Sequence, residues 1–118
     1  MGKENILKDK SFAFALRIVK AYTYLIKEKK EYVLSKQLLR SGTAIGALVR
    51  EAEYAQSTAD FISKMSIALK EANETEYWLL LLNKSEFIEN EVFNSIDADC
   101  KELLKLLISS INTSKKKK

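Results

Sequence analysis

The stretch from Leu34 to Ala55, LSKQLLRSGTAIGALVREAEYA, constrains the fold more than any other part of the chain. Its apolar and small residues recur at alternating steps of four and three, which is the spacing of one face of an α-helix. No charge occurs from Ser41 to Val49, and Gly42 and Gly46 lie one helical turn apart. A glycine inside a helix costs about 1 kcal/mol relative to alanine, so two of them indicate close approach of another backbone.

The uncharged middle of this helix also predicts how the protein assembles. A helix of an ordinary bundle keeps one polar, solvated face, whereas residues 41–49 provide none. We therefore expect a second copy of the chain to cover part of it. The glycines themselves are expected to face the third helix, where Ala68 and Ala72 form a patch of small residues at matching spacing.

The rest of the chain predicts three more long helices. It has 118 residues, no proline and only three glycines, so it contains few turn signals. We predict one domain over residues 1–118, with helices at about 10–30, 34–55, 58–83 and 90–111, a frayed lead-in over 1–9 and a basic tail over 115–118. Because the links are short, the predicted fold is all-α, an antiparallel up-down-up-down four-helix bundle.

Periodicity and capping signals add detail to these helices. Ser57 followed by Asp60 predicts the start of the third helix, and Asn90 is the expected N-cap of the fourth. Regular apolar rows run along helices two to four. In the first helix the row expected to face the core consists of Phe12, Ala15, Val19, Tyr22 and Ile26.

Composition excludes several kinds of chemistry. The chain has no histidine, which removes imidazole acid–base catalysis and histidine metal sites. Its single cysteine, Cys100, cannot form an internal disulfide or a cysteine metal cluster. We therefore expect no catalytic residues, no metal site and no cofactor. The N-terminus lacks the apolar run of a signal peptide, and the longest strictly apolar run, 78–82, is far shorter than a membrane span of about 20 residues. A cytoplasmic protein without membrane contacts is the expectation.

Charge is distributed unevenly along the chain. Residues 1–50 hold 11 basic and 4 acidic side chains, residues 51–114 hold 5 and 12, and the last four residues are lysines. A basic surface on the first two helices is typical of phosphate binding, although solvated basic faces are common. The candidate nucleic-acid-binding residues are Arg17, Lys20, Lys27, Lys36 and Arg40.

Several motifs in helices two and three resemble a known family. They are QLLR (37–40), SGTAIGA (41–47), REA (50–52), IALKEA (67–72) and ETEYWL (74–79). In this combination they resemble the bacterial 23S rRNA intervening-sequence proteins, which are four-helix bundles. The resemblance implies a homopentamer without enzymatic activity. It also implies kinship to the accessory protein of diversity-generating retroelements, a basic pentamer that binds nucleic acid and a reverse transcriptase.

Three functions follow from these observations. The first is a non-enzymatic oligomeric module that binds RNA or a nucleic-acid enzyme. The second is a protein–protein scaffold without nucleic-acid binding. The uncharged stretch of the second helix and the division of the chain into a basic and an acidic half are equally compatible with that function. The third is a metal-dependent nucleotide hydrolase, which would need clustered carboxylates on helices three and four. The carboxylates available for it are Glu71, Glu74, Asp99 and Glu102.

Overall fold

The protein is a bundle of four long helices. A computed structural model describes residues 3–117, with side chains from Asn5 onward. Met1 and Gly2 of the predicted lead-in and Lys118 of the predicted tail lie outside these residues. The helices are α1 (Lys3–Lys27), α2 (Leu34–Glu53), α3 (Thr58–Lys84) and α4 (Asn90–Lys116), and the bundle measures 48 × 21 × 21 Å.

Contacts between the helices establish the topology. Both α1 and α3 pack against α2 and α4, so the four helices follow one another around the bundle. Contacting pairs have residue numbers that run in opposite directions, as antiparallel neighbours require. Examples are Lys8 with Glu53 and Gly42 with Ile18 between α1 and α2, and Lys10 with Glu102 and Arg17 with Ser95 between α1 and α4. The predicted all-α up-down-up-down bundle is confirmed.

The core lies along the bundle axis and contains the apolar rows predicted for α2 to α4. Leu38, Ile45, Met65, Leu79 and Leu103 are each at most 1% exposed. Burial of such side chains removes apolar surface from water, at about 25 cal/mol per Å², and this drives the helices together.

The bounds of α1 differ from the prediction at both ends. The helix begins at Lys3 rather than near residue 10, because the fully buried Leu7 anchors its first turns in the core. It ends at Lys27, and the chain turns where Lys30 adopts a positive φ of 56°. The N–H of Glu31 then donates to the carbonyl of Leu25 at 3.0 Å, which closes the turn. The predicted lead-in is therefore largely helix.

The predicted core row of α1 is wrong. The buried apolar residues of α1 are Leu7, Phe14, Ile18 and Leu25, whereas Phe12 of the predicted row is 53% exposed. Of the rest of the predicted row, Val19 is 44% exposed, and Ala15, Tyr22 and Ile26 are half-buried. The helix carries two apolar rows, and the one interrupted by a serine is the one that faces the core.

The two glycines of α2 pack against α1 and not, as predicted, against α3. A Cβ added to Gly42 would lie 2.8 Å from Cγ1 of Ile18, and one added to Gly46 would lie 3.4 Å from the carbonyl oxygen of Ser11. The close approach is therefore real at Gly42, whereas Gly46 lies at ordinary contact distance, and the partner of both is α1. Ala68 and Ala72 are fully buried, in the core rather than against the glycines.

Cys100 on α4 is fully buried, and its thiol lies 3.3 Å from the carbonyl oxygen of Ala72, to which it donates. Burial raises the pKa of this thiol to about 12, and the negative charges of Glu76 and Asp97 add to the effect. The sulfur therefore remains a neutral thiol that fills space in the core.

The ends of the later helices confirm one capping prediction and correct another. Ser57 accepts a hydrogen bond from the N–H of Asp60 at 3.0 Å, which confirms it as the N-cap of α3. Asn90 is not the N-cap of α4, a position that Glu89 occupies. Instead, the Asn90 amide oxygen accepts a hydrogen bond from the side chain of Asn83 at 2.9 Å, so it joins α4 to the end of α3.

The last differences concern the ends of α2 and α4. Helix α2 ends at Glu53, two residues earlier than predicted. Helix α4 continues past Ile111 to Lys116, so Lys115 and Lys116 belong to its last turn and not to a separate tail. Basic side chains are favourable there because the C-terminal end of a helix carries partial negative charge.

Candidate nucleic-acid interface

The five predicted binding residues fall into two groups. Arg17 and Arg40 form ion pairs with carboxylates of the acidic second half of the chain. Lys20, Lys27 and Lys36 are exposed, and among residues 3–117 they have no ion pair or side-chain hydrogen bond. Of the two groups, only the second therefore has cations that form no ion pair within the described part of the chain.

Arg17 ties α1 to α4. Its guanidinium donates to the Asp99 carboxylate at 2.8 Å, to the Ser95 hydroxyl at 3.0 Å and to the Ser95 carbonyl at 3.3 Å. Both members of the ion pair are partly exposed, at 39% for Arg17 and 47% for Asp99. Such a pair orients the side chain, and its net electrostatic contribution is small.

Arg40 ties α2 to α3 on the opposite face of the bundle. It donates to the carboxylates of Glu71, at 3.1 and 3.3 Å, and of Glu74. Trp78 also donates to Glu74 at 2.9 Å. The hydrogen bond from Trp78, followed by that from Arg40, lowers the pKa of the Glu74 carboxyl. Arg17 thus links α1 to α4 and Arg40 links α2 to α3, so the two arginines do not form one site.

Exposed lysines follow the outer face of α1 into the link that joins it to α2. Lys20 and Lys27 are seven residues apart, so they lie on one face of the helix. The link adds Lys29 and Lys30, which were not among the predicted residues. The run KEKKEYV at 27–33 was the available signal. We call the following set the interface lysines: Lys20, Lys27, Lys29, Lys30 and Lys36.

Glu31 holds this link in position. Its carboxylate accepts hydrogen bonds from the N–H groups of Val33, Leu34 and Ser35 at 3.1, 2.9 and 2.6 Å, so it caps the start of α2. Burial alone would raise the pKa of this carboxyl, but the three N–H donors outweigh it, and the pKa lies below its ordinary value. The cap therefore depends on an ionised carboxylate.

A second exposed feature of α1 is apolar. Phe12, Leu16 and Val19 are 53%, 51% and 44% exposed and follow one another at steps of four and three, so they form one row. We call this the α1 outer row. The guanidinium of Arg50, on α2, lies 5.9 Å from the centroid of the Phe12 ring, so the row runs beside α2. Sequence periodicity assigned two of its members to the core.

The carboxylates considered for a hydrolase do not converge. Glu71 and Glu74 face Arg40 on the α2 side of α3, whereas Asp99 and Glu102 face Arg17 and Lys10 on the α1 side of α4. Each of the four carboxylates pairs with a cation from the basic half of the chain, and the two pairs lie on different faces of the bundle. Within residues 3–117, no group of three His, Cys, Asp or Glu side chains is arranged to hold a metal ion. The cluster of carboxylates that the hydrolase alternative would need is therefore not formed by these four residues.

One further finding concerns membranes. Over residues 3–117, every helix is either too short or too polar to cross a lipid bilayer.

Comparison with known proteins gives a consistent result. The family model described as 23S rRNA-intervening sequence protein matches residues 3–109. A crystal structure of a protein of unknown function from the S23 ribosomal protein family of Bacteroides thetaiotaomicron is 61% identical in sequence. It superposes with a TM-score of 0.93 over 94% of this chain and 99% of that one. No curated protein matches the chain.

Proposed function

Because the chain belongs to the 23S rRNA-intervening sequence protein family, we propose that it is a non-enzymatic, homo-oligomeric module that binds RNA in the bacterial cytoplasm. The observation that carries the proposal is the set of interface lysines, none of which forms an ion pair with another described residue. The alternative is a protein–protein interaction scaffold without nucleic-acid binding.

The contrast between paired and unpaired cations supports RNA as the partner. Arg17 and Arg40 are already hydrogen-bonded to carboxylates, so a phosphate would have to compete with those bonds. Lys20, Lys27 and Lys36 are free to bind phosphates and release counterions. The proposed contacts therefore come mainly from these lysines, and the two arginines contribute less.

The α1 outer row supports self-association. An exposed apolar row next to the uncharged stretch of α2 is the type of surface that subunit contacts bury. We propose a pentamer, a number that rests on the family resemblance. A ring would repeat the interface lysines five times, and individually weak contacts would then act together.

The test compares two triple variants that remove the same charge. The first changes Lys20, Lys27 and Lys36 to Gln, and we expect it to lose most RNA affinity. The slope of log K against log salt concentration should become shallower by about three contacts. The matched control changes the exposed Lys70, Lys84 and Lys105 to Gln, on α3 and α4, and should bind RNA nearly as well as the wild type. Affinity is measured by fluorescence anisotropy from 50 to 300 mM salt, and mass by light scattering.

Several outcomes would contradict the proposal. If both triple variants lose affinity equally, binding reflects net charge and not the interface lysines. If only deletion of 115–118 abolishes binding, the bundle carries a basic C-terminus and its helical face has no role. If the wild type binds no RNA at low salt, the scaffold alternative replaces this function. A monomer mass at micromolar concentration would contradict the assembly.

A further inference from the structure

An apolar groove of about 380 Å³ lies between α1 and α4, on the same side of the bundle as Lys20. Its walls include Tyr24 from α1 and Val92 and Ile96 from α4. Tyr24 and Val92 are 43% and 44% exposed, so the groove is open to solvent. Its size and its apolar walls with a few polar groups are typical of sites that bind small organic groups.

Three charged residues surround the groove. Lys20 lies one turn before Tyr24 and has no ion pair among residues 3–117. Arg17 is held in place by Ser95 and Asp99, and those bonds use three of its five N–H groups. Glu89 lines the groove from the start of α4, and its side chain makes no capping hydrogen bond. The groove therefore offers an aromatic ring, two cations and a free carboxylate.

This combination fits a nucleotide. An exposed aromatic ring stacks on a base, and cations beside it bind the phosphates on either side. Lys20 and Lys27 lie on both sides of Tyr24 along α1, about 10 Å apart by the helical rise. A carboxylate such as that of Glu89 accepts hydrogen bonds from an exocyclic amino group of a base. Bases in a duplex are stacked and paired, so only an unpaired base can enter.

We propose that the groove between α1 and α4 binds one unpaired base of an RNA strand, stacked on Tyr24, with a preference for bases that carry an exocyclic amino group. The proposal rests on the proposed RNA-binding function and specifies the form of RNA that is recognised. The interface lysines supply affinity for the backbone, and the groove selects single strands.

The experiment measures anisotropy with fluorescent 12-nucleotide oligo(A) and oligo(U) and with a blunt 12-base-pair RNA duplex, which has no unpaired base. Tyr24→Leu removes the stacking ring, and we expect it to weaken oligo(A) binding about 5- to 100-fold, as loss of one stacked base would. Val92→Trp fills the groove from the other wall and should have the same effect. Tyr54→Leu is the matched control, because Tyr54 is 82% exposed in the link between α2 and α3, and it should leave affinity unchanged.

A second readout separates stacking from charge. Tyr24→Leu should lower affinity at every salt concentration without changing the salt dependence, whereas Lys20→Gln should reduce that dependence by about one charge. The wild type should bind oligo(A) more tightly than oligo(U), and both more tightly than the duplex.

Three results would overturn the inference. If the wild type binds RNA, but Tyr24→Leu and Val92→Trp bind as tightly as Tyr54→Leu, the groove is not used, and the proposed function stands without it. If the duplex binds as tightly as the single strands, recognition is confined to the backbone. If the wild type binds none of the three RNAs, both proposals fail together.

Discussion

Helix α1 meets its two neighbours in different ways. Against α2 it packs closely, because Gly42 leaves room for Ile18 and Gly46 lies beside the backbone at Ser11, and the atoms in contact at both glycines are uncharged. The ion pair of Lys8 with Glu53 lies farther along, at the end of α2. Against α4 it is held at the surface by ion pairs such as Arg17 with Asp99, and an open groove lies beside them. The first contact fixes how the helices fit together, whereas the second leaves surface available for a ligand.

The energies of the two contacts should differ accordingly. Close-packed interiors tolerate added atoms poorly, and overpacking costs about 1–3 kcal/mol. Partly exposed ion pairs contribute about 0–1 kcal/mol and are screened by salt. The comparison therefore predicts that changes at the α1–α2 seam affect stability strongly and independently of salt, while changes at the α1–α4 seam have small effects that depend on salt.

The largest effect is expected from Gly42→Ala. The new Cβ would lie 2.8 and 2.9 Å from Cγ1 and Cγ2 of the fully buried Ile18, so Ile18 or a helix would have to shift. We expect a net loss of about 1–2 kcal/mol in the free energy of unfolding, because overpacking outweighs the helix propensity gained. Urea titration followed by circular dichroism measures it.

The matched control is Gly46→Ala. Its Cβ would lie 3.4 Å from the Ser11 carbonyl oxygen, an ordinary contact, so improved helix propensity should raise stability by up to about 1 kcal/mol. In a background of Ile18→Ala, the loss caused by Gly42→Ala should disappear. Equal effects of the two glycine substitutions would contradict the assigned contact with Ile18.

A smaller effect is expected at the link that leads into the α1–α2 seam. Glu31→Gln removes the charged cap of α2 and should lower stability by about 1 kcal/mol at pH 7. Because the folded-state pKa of Glu31 lies below its ordinary value, its stabilisation is present above the unfolded pKa and is lost as pH falls through the folded pKa. The difference between variant and wild type should therefore shrink in acid, which thermal melts from pH 7 to pH 3 would measure. A constant difference across that range would exclude an ionised cap.

The smallest effect is expected from Arg17→Gln at the α1–α4 seam. Loss of a partly exposed ion pair should cost about 0.2–1 kcal/mol, and the cost should decrease in 1 M salt. Lys20→Gln, one turn away and without an ion partner, is the control and should leave stability unchanged. A cost above about 2 kcal/mol, or one insensitive to salt, would mean that the two seams do not differ as described.

The general fold was predictable from the sequence because the chain has no proline and its apolar rows in α2 to α4 are regular. The row of α1 was not, since two rows of similar spacing run along that helix. The row that faces the core includes the buried Ser11. The row that was predicted to face the core, and is instead exposed in part, includes Phe12 and Val19. Periodicity detects an apolar face, but it cannot rank two of them when only the arrangement of neighbours decides which is covered.

The candidate site was predictable only in part, for a related reason. A glycine in a helix indicates that something approaches, but not whether it is a small patch such as Ala68 or a large side chain such as Ile18. Similarly, a basic residue indicates charge, but its partner can be far along the chain, as Asp99 is for Arg17. Only the structure shows which basic residues form ion pairs, and therefore which lysines do not.

The buried Cys100 has a practical consequence for studying this protein. It is the only cysteine of the chain, and with a pKa near 12 and no exposed surface it remains unreactive toward maleimides at neutral pH. A cysteine introduced anywhere on the surface would then be the one thiol that takes up a label. Dyes or spin labels can therefore be attached at one chosen position per subunit without first removing the native sulfur from the core.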